Sequence, residues 1–364
     1  MIDFHYTANG ISYAFHMHLS GIFAANTICK AHINFISGGL SMNEKPILTQ
    51  ILESPLPEEE KRRLTSIVNG DMLASLCSDL IAKHVFSPDL HPERLNFIFQ
   101  RTMRDSTIEI DRSAANESSL RSYGSKMTIS DIPAWLKDHR IADLAIQVRP
   151  QEFIFNRADI YASNMLLLQY SVDPGVQKGT IDVTDIKDSI LIVLMANSPR
   201  SFREHSSNRY IHRFTKARSD TGLEFEMLKQ MVFVQLDKAL ELYISKEYNE
   251  DEDVELLELF ALIADINNET VIELCNRNRL LNDIREDVYK FTQSREVQQM
   301  ILAEDLDRRC YLTDLHLAQK EGRTTMINLN KWLIDQGRFD EIKRYTEDPE
   351  YLEALIEEYN KAHE

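Results

Sequence analysis

The sequence predicts an α/β protein, with a mixed central sheet flanked by helices and an all-helical C-terminal region. Three observations predict it. Between residues 107 and 147, the segments TIEIDRS, KMTISDI and IADLAIQV alternate apolar and polar residues with period two. A helical segment, FNRADIYASNMLLLQYS, then leads to DSILIVLMA at 188–196. Such a continuous apolar run is what a strand covered on both faces carries. From Leu223 onward apolar residues recur at mostly helical spacing.

The elements follow in order. Residues 1–41 read as an atypical extension, with His5, His16, His18 and His32 among small and aromatic residues. Gly38-Gly39 closes it, and one hypothesis makes Met42 the natural start and residues 1–41 an upstream extension. The four histidines show no helical metal-ligand pair, so no zinc site is expected. Residues 46–86 read as helices. PLPEEEKRRLTSIV opens with Pro and acids, which suit the positive end of a helix dipole. Asp71 to Phe86 sets Leu73, Leu76, Cys77, Leu80, Ile81 and Val85 at helical spacing, and Ser87-Pro88 stops the run.

KMTISDI is read as a strand bounded by Pro133, with WLKDHR as the hairpin turn to IADLAIQV. RYIHRFT is a further short strand, and FEMLKQMVFVQLDKALELYI reads as a strand passing into a helix. VELLELFALIADI and REVQQMILAEDLDRRCYLTDLHLAQKEG are long helical stretches. The tail reads as two or three short helices separated by Gly337 and Pro349. The expected organisation is a 1–41 extension, a 42–245 α/β core and a 246–364 acidic helical region.

At 364 residues the chain has room for two to three domains. Its 43% hydrophobic content excludes disorder, and eleven Gly and ten Pro exclude a collagen-like chain. The 58 acids and 41 bases give −17, which taken whole argues against phosphate binding. The distribution alters that reading. Residues 241–364 hold 30 acids and 15 bases, a net of −15, leaving 28 and 26 in residues 1–240, a net of −2. Within 200–219, Arg200, Arg203, Arg209, Arg213, Lys216 and Arg218 stand against Glu204 alone, for +5. That stretch is either a phosphate-contacting patch or a solvated strand edge.

Cys29, Cys77, Cys275 and Cys310 form no CxxC or Cys/His zinc spacing, so reduced thiols in a cytoplasmic protein are expected. There is no signal-peptide pattern and no 18-residue apolar run, so no membrane association is expected. Apolar spacing over 296–320 would suit an intermolecular helix pair, and hence a homodimer.

Period two puts Asp143, Ala145 and Gln147 on one strand face. Asp131, on the preceding strand, could meet them across an antiparallel pair. Oxygen ligands so placed would suit a divalent metal that activates water. By spacing alone, Asp131 before Pro133 reads first as a turn residue.

Several motifs in series resemble the recombination-promoting nucleases, a PD-(D/E)XK transposase family of the restriction-endonuclease-like superfamily. DLIAKHVF matches the family's early Asp-x-x-Phe-Lys-x-x-Phe helix through Asp79, Lys83 and Phe86, with Ala82 in place of the usual Phe. Asp131 matches the Asp that ends the family's strand. Leu144-Ala145-Ile146-Gln147 falls where the family carries Ile-Glu-Met-Gln. Arg157 and Tyr161 in NRADIYAS match an Arg and a Tyr on the next helix, and ILIVLM matches the strand after it. The resemblance covers roughly residues 70–245, and the tail resembles the family's C-termini.

The resemblance implies a restriction-endonuclease-like core and Mg²⁺- or Mn²⁺-dependent hydrolysis of DNA. The implied catalytic positions are Asp131, Ala145 and Gln147. Asp131 and the carbonyl of Ile146 would hold the metal, with Gln147 in place of the Lys that orients water. Gln positions water but brings no charge to the transition state. Lys83 and Arg157, with Arg209 and Arg213, are the implied DNA contacts. Position 145 departs from the family, with Ala where the metal-binding Glu belongs. Three readings follow: an engineered inactive variant, a natural pseudo-nuclease that holds DNA or protein without cutting, or a substitute acid. Asp143 is the best substitute, ahead of Glu152.

Overall fold

A computed structural model describes residues 4–8, 11–15, 45–114, 130–172 and 187–363. His16, His18, Cys29, His32, Met42, the start of KMTISDI and the loop after residue 172 lie outside the described residues. Strands β1 (Phe4–Ala8) and β2 (Ile11–Phe15) pair antiparallel. Helices α1 (Ile47–Glu53), α2 (Glu58–Asn69), α3 (Asp79–Val85) and α4 (Pro92–Met103) follow. Then come β3 (Ile110–Ser113), β4 (Ser130–Leu136), β5 (Ile141–Gln147), α5 (Ile154–Val172) and β6 (Ser189–Met195). The short α6 (Arg200–Arg203) leads to β7 (Ile211–Arg218), β8 (Glu224–Gln235) and α7 (Leu236–Ser245). The rest is helical: α8 (Val254–Ala264), α9 (Glu269–Cys275), α10 (Arg279–Thr292), α11 (Arg295–Asp335), α12 (Phe339–Glu347) and α13 (Pro349–His363).

The chain divides into two compact units, Arg63–Gln298 and Met1–Arg62 with Gln299–Glu364. The first holds a six-stranded mixed sheet in the order β3-β4-β5-β6-β8-β7. β3, β4 and β5 form an antiparallel meander, β6 lies parallel to β5 and to β8, and β7 closes the edge antiparallel to β8. Every residue of β5 and β6 is buried, which explains their near-continuous apolar sequences. One face carries Ile141, Ala145, Leu191, Val193, Met231 and Phe233 against Ile154, Ala158, Ala162 and Met165 of α5. The small Ala158 and Ala162, one turn apart, leave room for the sheet. On the same unit, α3 packs on β4 and α7 on β6. α8 buries Leu256, Leu257, Leu259, Phe260, Leu262 and Ile263, nearly all around its axis. The sheet's unit therefore continues past residue 245, taking in α8, α9 and α10.

Three expectations need correction. The helix expected over Asp71–Phe86 is only Asp79–Val85. Gly70, at φ +82°, ends α2, with Gly70 N–H bonding Ile67 C=O and Asp71 N–H bonding Ser66 C=O. The Leu73 backbone is then taken by Asn267, whose side chain accepts from Leu73 N–H and donates to Leu73 C=O, each at 2.9 Å. Pro133 does not bound β4, which continues to Leu136. Its carbonyl accepts from Ala114 N–H on the β3 side, so the missing proline N–H also faces the point where β3 ends. Pairing with β5 is left intact. Finally, the helix read over 295–322 extends to Asp335, for 41 residues.

In the other unit, Leu329, Leu333, Tyr345 and Leu355 form a small core with Trp332 and Tyr359 packed on it. Gly337, at φ +73°, ends α11 with the same two-bond cap, Gly337 to Ile334 and Arg338 to Leu333. Arg338 forks onto Glu341 and Glu358 at 2.6–3.0 Å and lies over the Trp332 ring. No helix among the described residues is long and apolar enough to cross a membrane.

Burial sorts the thiols. Cys77 is buried, its Sγ 3.4 Å from the Ile263 carbonyl, and burial pushes its pKa up to about 12. Burial raises Cys275 as well, whereas Cys310 is half-exposed. A thiol reagent at pH 8 is expected to modify Cys310 ahead of Cys77 and Cys275, which it reaches only on unfolding. Mass spectrometry of a labelling time course reads this directly, and early loss of Cys77 would contradict it.

Candidate functional site

The residues singled out in sequence come together first at the β4–β5 pair. Asp131 stands in register directly across from Ala145, and Pro133 across from Asp143. On its other side Ala145 pairs with Val193, and Gln147 with Met195. The side chain of Asp131 is not among those described. Ala145 is fully buried within the apolar cluster under α5. Asp143 is fully buried as well, two residues further along the same face. Gln147 is nearly buried at the strand end, and its amide donates to Arg149 C=O at 2.9 Å. Ile146 points to the opposite face and is buried.

On α5, Arg157 donates to Gln151 Oε1, and Tyr161 packs against the cluster. Glu152 lies exposed in the turn before α5. Lys83, on α3, pairs with Asp79 at 3.2 Å.

Magnesium takes one or two carboxylates together with substrate and water oxygens. Among the described residues no group of three or more His, Cys, Asp or Glu side chains is arranged to hold a metal ion. Ala145 supplies no oxygen, and its place is filled by packing rather than opened as a cleft. Of the two carboxylates that the resemblance implies, position 145 supplies none. No family model, curated protein or solved structure matches the chain.

The +5 stretch is laid out along the opposite edge of the sheet, and acids meet most of it. Arg200 pairs with Glu204 at 2.6 Å, Lys216 with Glu226 at 3.2 Å and Arg218 with Glu224 at 3.9 Å. Arg209 bonds both oxygens of Asp251, at 2.7 and 2.8 Å, and Glu252 at 2.8 Å. Those hydrogen bonds raise the Arg209 pKa, and Arg209 in turn holds Asp251 below the usual carboxylate range. Arg213 differs. Its Nε donates to Thr102 C=O at 2.6 Å, and burial, then the charge of Arg104, lowers its pKa. Arg101 bonds Asp253 at 2.7 Å and also Glu255. Asp253 caps α8 as well, accepting from Leu256 N–H at 3.1 Å. Sequence reading passed over Arg101, Arg104 and the acids 251–253. They lie about 110 residues before and 40 after Arg213, too far for any local pattern to join them.

Proposed function

We propose that this chain is a restriction-endonuclease-like protein of the transposase-associated type that engages DNA without cutting it. The order of elements supports the lineage: an antiparallel three-strand meander, a crossover helix, then a strand parallel to the third. The observation that carries the absence of cutting is Ala145, buried in the core where the resemblance calls for a metal-binding Glu. Lys83, Arg157, Arg209 and Arg213 are the proposed DNA contacts, and their contribution should fall with salt.

The test is a pair of assays on the same duplex. Fluorescence anisotropy in EDTA is expected to show salt-sensitive binding, and gel analysis in Mg²⁺ or Mn²⁺ to show intact DNA. Metal-dependent strand cleavage would replace this reading with that of an active endonuclease. No salt-sensitive binding would remove the DNA reading altogether.

A further inference from the structure

Where the C-terminal end of α4 meets β7 and the segment before α8, a cavity of about 280 Å³ opens. Arg101, Arg104 and Arg213 line it from one side, and Asp251, Glu252 and Asp253 from the other. The lining charges balance in number but not in availability. Arg209 holds Asp251 and Glu252, and Arg101 holds Asp253. Arg104 and Arg213 are the two lining cations outside these pairs, although Arg104 also acts through its charge on Asp251, and Glu252 on Arg213. Arg104 makes no ion pair or side-chain hydrogen bond among the described residues. Arg213 spends only Nε, on Thr102, which leaves its two terminal NH₂ groups without a described acceptor. We propose that Arg104 and Arg213 form a binding site for a phosphate oxyanion.

Two further observations support this. Arg104 occupies the position after α4 that Gly usually fills, at φ +59°, with Asp105 N–H bonding Gln100 C=O in the usual helix-ending pair. A left-handed non-Gly residue is strained, and such strain collects at ligand-binding sites. Lastly, the two guanidiniums repel each other across the cavity, and burial of Arg213 strengthens that repulsion. A tetrahedral anion with several acceptor oxygens would relieve it and fill the open donors, bidentately at Arg213.

The oxyanion has two possible sources, free phosphate or the phosphodiester of a nucleic acid. The site lies at the β7 edge, with β8 and β6 between it and β5, so it stands whether or not the β4–β5 pair is nuclease-derived.

The experiment measures inorganic phosphate by thermal shift at fixed ionic strength and a fluorescent DNA duplex by anisotropy. It compares the whole chain with Arg104→Gln, with Arg213→Lys, and with Arg279→Gln as an exposed control. Removing one charge-assisted donor is expected to weaken binding about tenfold. Arg104→Gln should lose that much, Arg213→Lys a similar amount, and Arg279→Gln less than about twofold. Loss for phosphate identifies a free anion as a ligand, and loss for DNA alone identifies a backbone phosphodiester. The proposal is overturned if Arg104→Gln changes neither, or if Arg279→Gln weakens binding equally. DNA binding without cleavage, with neither DNA nor phosphate binding moved by Arg104→Gln, would sink this site and leave the proposed function standing.

Discussion

Ala145→Glu is expected to destabilise the sheet's unit by about 3–5 kcal/mol at neutral pH in the absence of divalent metal. Two costs combine. Ala145 has no exposed surface and shares its cluster with Ala158, Ala162 and Val193. A longer side chain must displace α5 or leave its own rotamer well, which costs about 1–3 kcal/mol in a packed core. The carboxylate must also leave water, which adds to that. Ala145→Gln, similar in volume but uncharged, is expected to show the packing and amide-burial costs without the charge cost.

The charge cost has a definite pH dependence. Burial raises a carboxyl's folded pKa above its unfolded value of about 4.3. Below that value both states are neutral and the two variants should match. As pH rises from about 4 toward 7 the carboxyl ionises only in the unfolded chain, and Ala145→Glu should fall behind Ala145→Gln. Urea denaturation at pH 4 and pH 7 measures the difference, and equal stability of the two variants at pH 7 would refute it. Addition of Mg²⁺ then bears on the proposed function. If Asp131 and the new carboxylate form a metal edge, magnesium should restore stability, and DNA cleavage should appear. A parent chain that cuts as fast as the variant would show that Ala145 is no obstacle.

Asp287→Ala is expected to cost about 3–5 kcal/mol, because it strands a buried guanidinium. Arg94 is 5% exposed, and its Nη1 donates to Asp287 Oδ2 at 2.6 Å and to Val85 C=O at 2.8 Å. His84 Nε2 lies 3.0 Å from Asp287 Oδ1, and His91 Nε2 lies 3.2 Å from Oδ2. The His84 ring also stacks on Phe291, with centroids 3.8 Å apart. One carboxylate from α10 thus joins α3 and α4, and among the described residues no other acid pairs with Arg94.

Burial alone would raise the Asp287 pKa, but the hydrogen bonds from Arg94 and His84 outweigh it and hold the carboxyl below its ordinary range. The sign follows. This stabilisation is present above the unfolded Asp value of about 3.9 and is lost as pH falls from there through the folded pKa. Denaturation midpoints from pH 6 to pH 2.5 should therefore fall more steeply in the parent than in Asp287→Ala. Parallel curves would mean that the carboxylate contributes no charge-dependent stability.

Much of the fold was open to reading along the chain. β5 and β6 announce themselves because a strand covered on both faces needs apolar residues throughout, and both are buried end to end. The switch from β8 to α7 within FEMLKQMVFVQLDKALELYI, and the helix ends at Gly337 and Pro349, follow from period and cap chemistry, which are local properties. Other features are set by partners distant in sequence. Residues 71–78 have helical spacing, but Asn267, 194 residues away, takes the Leu73 backbone hydrogen bonds. Pro133 stays within β4 because β3 ends beside it.

The site divides in the same way. Period two places Asp143, Ala145 and Gln147 on one face of β5, but only packing against α5 makes position 145 part of the core. The arginines of residues 200–219 form a positive run in sequence. In the fold Arg200 meets Glu204, Arg209 meets Asp251 and Glu252, and Arg218 meets Glu224 of β8, while Arg213 is set beside Arg104 instead. Hydrophobic periodicity is a property of neighbours along the chain, so sequence alone determines the elements. A charge acts on whatever lies within a few ångströms, so the tertiary structure decides which arginines remain open to a ligand.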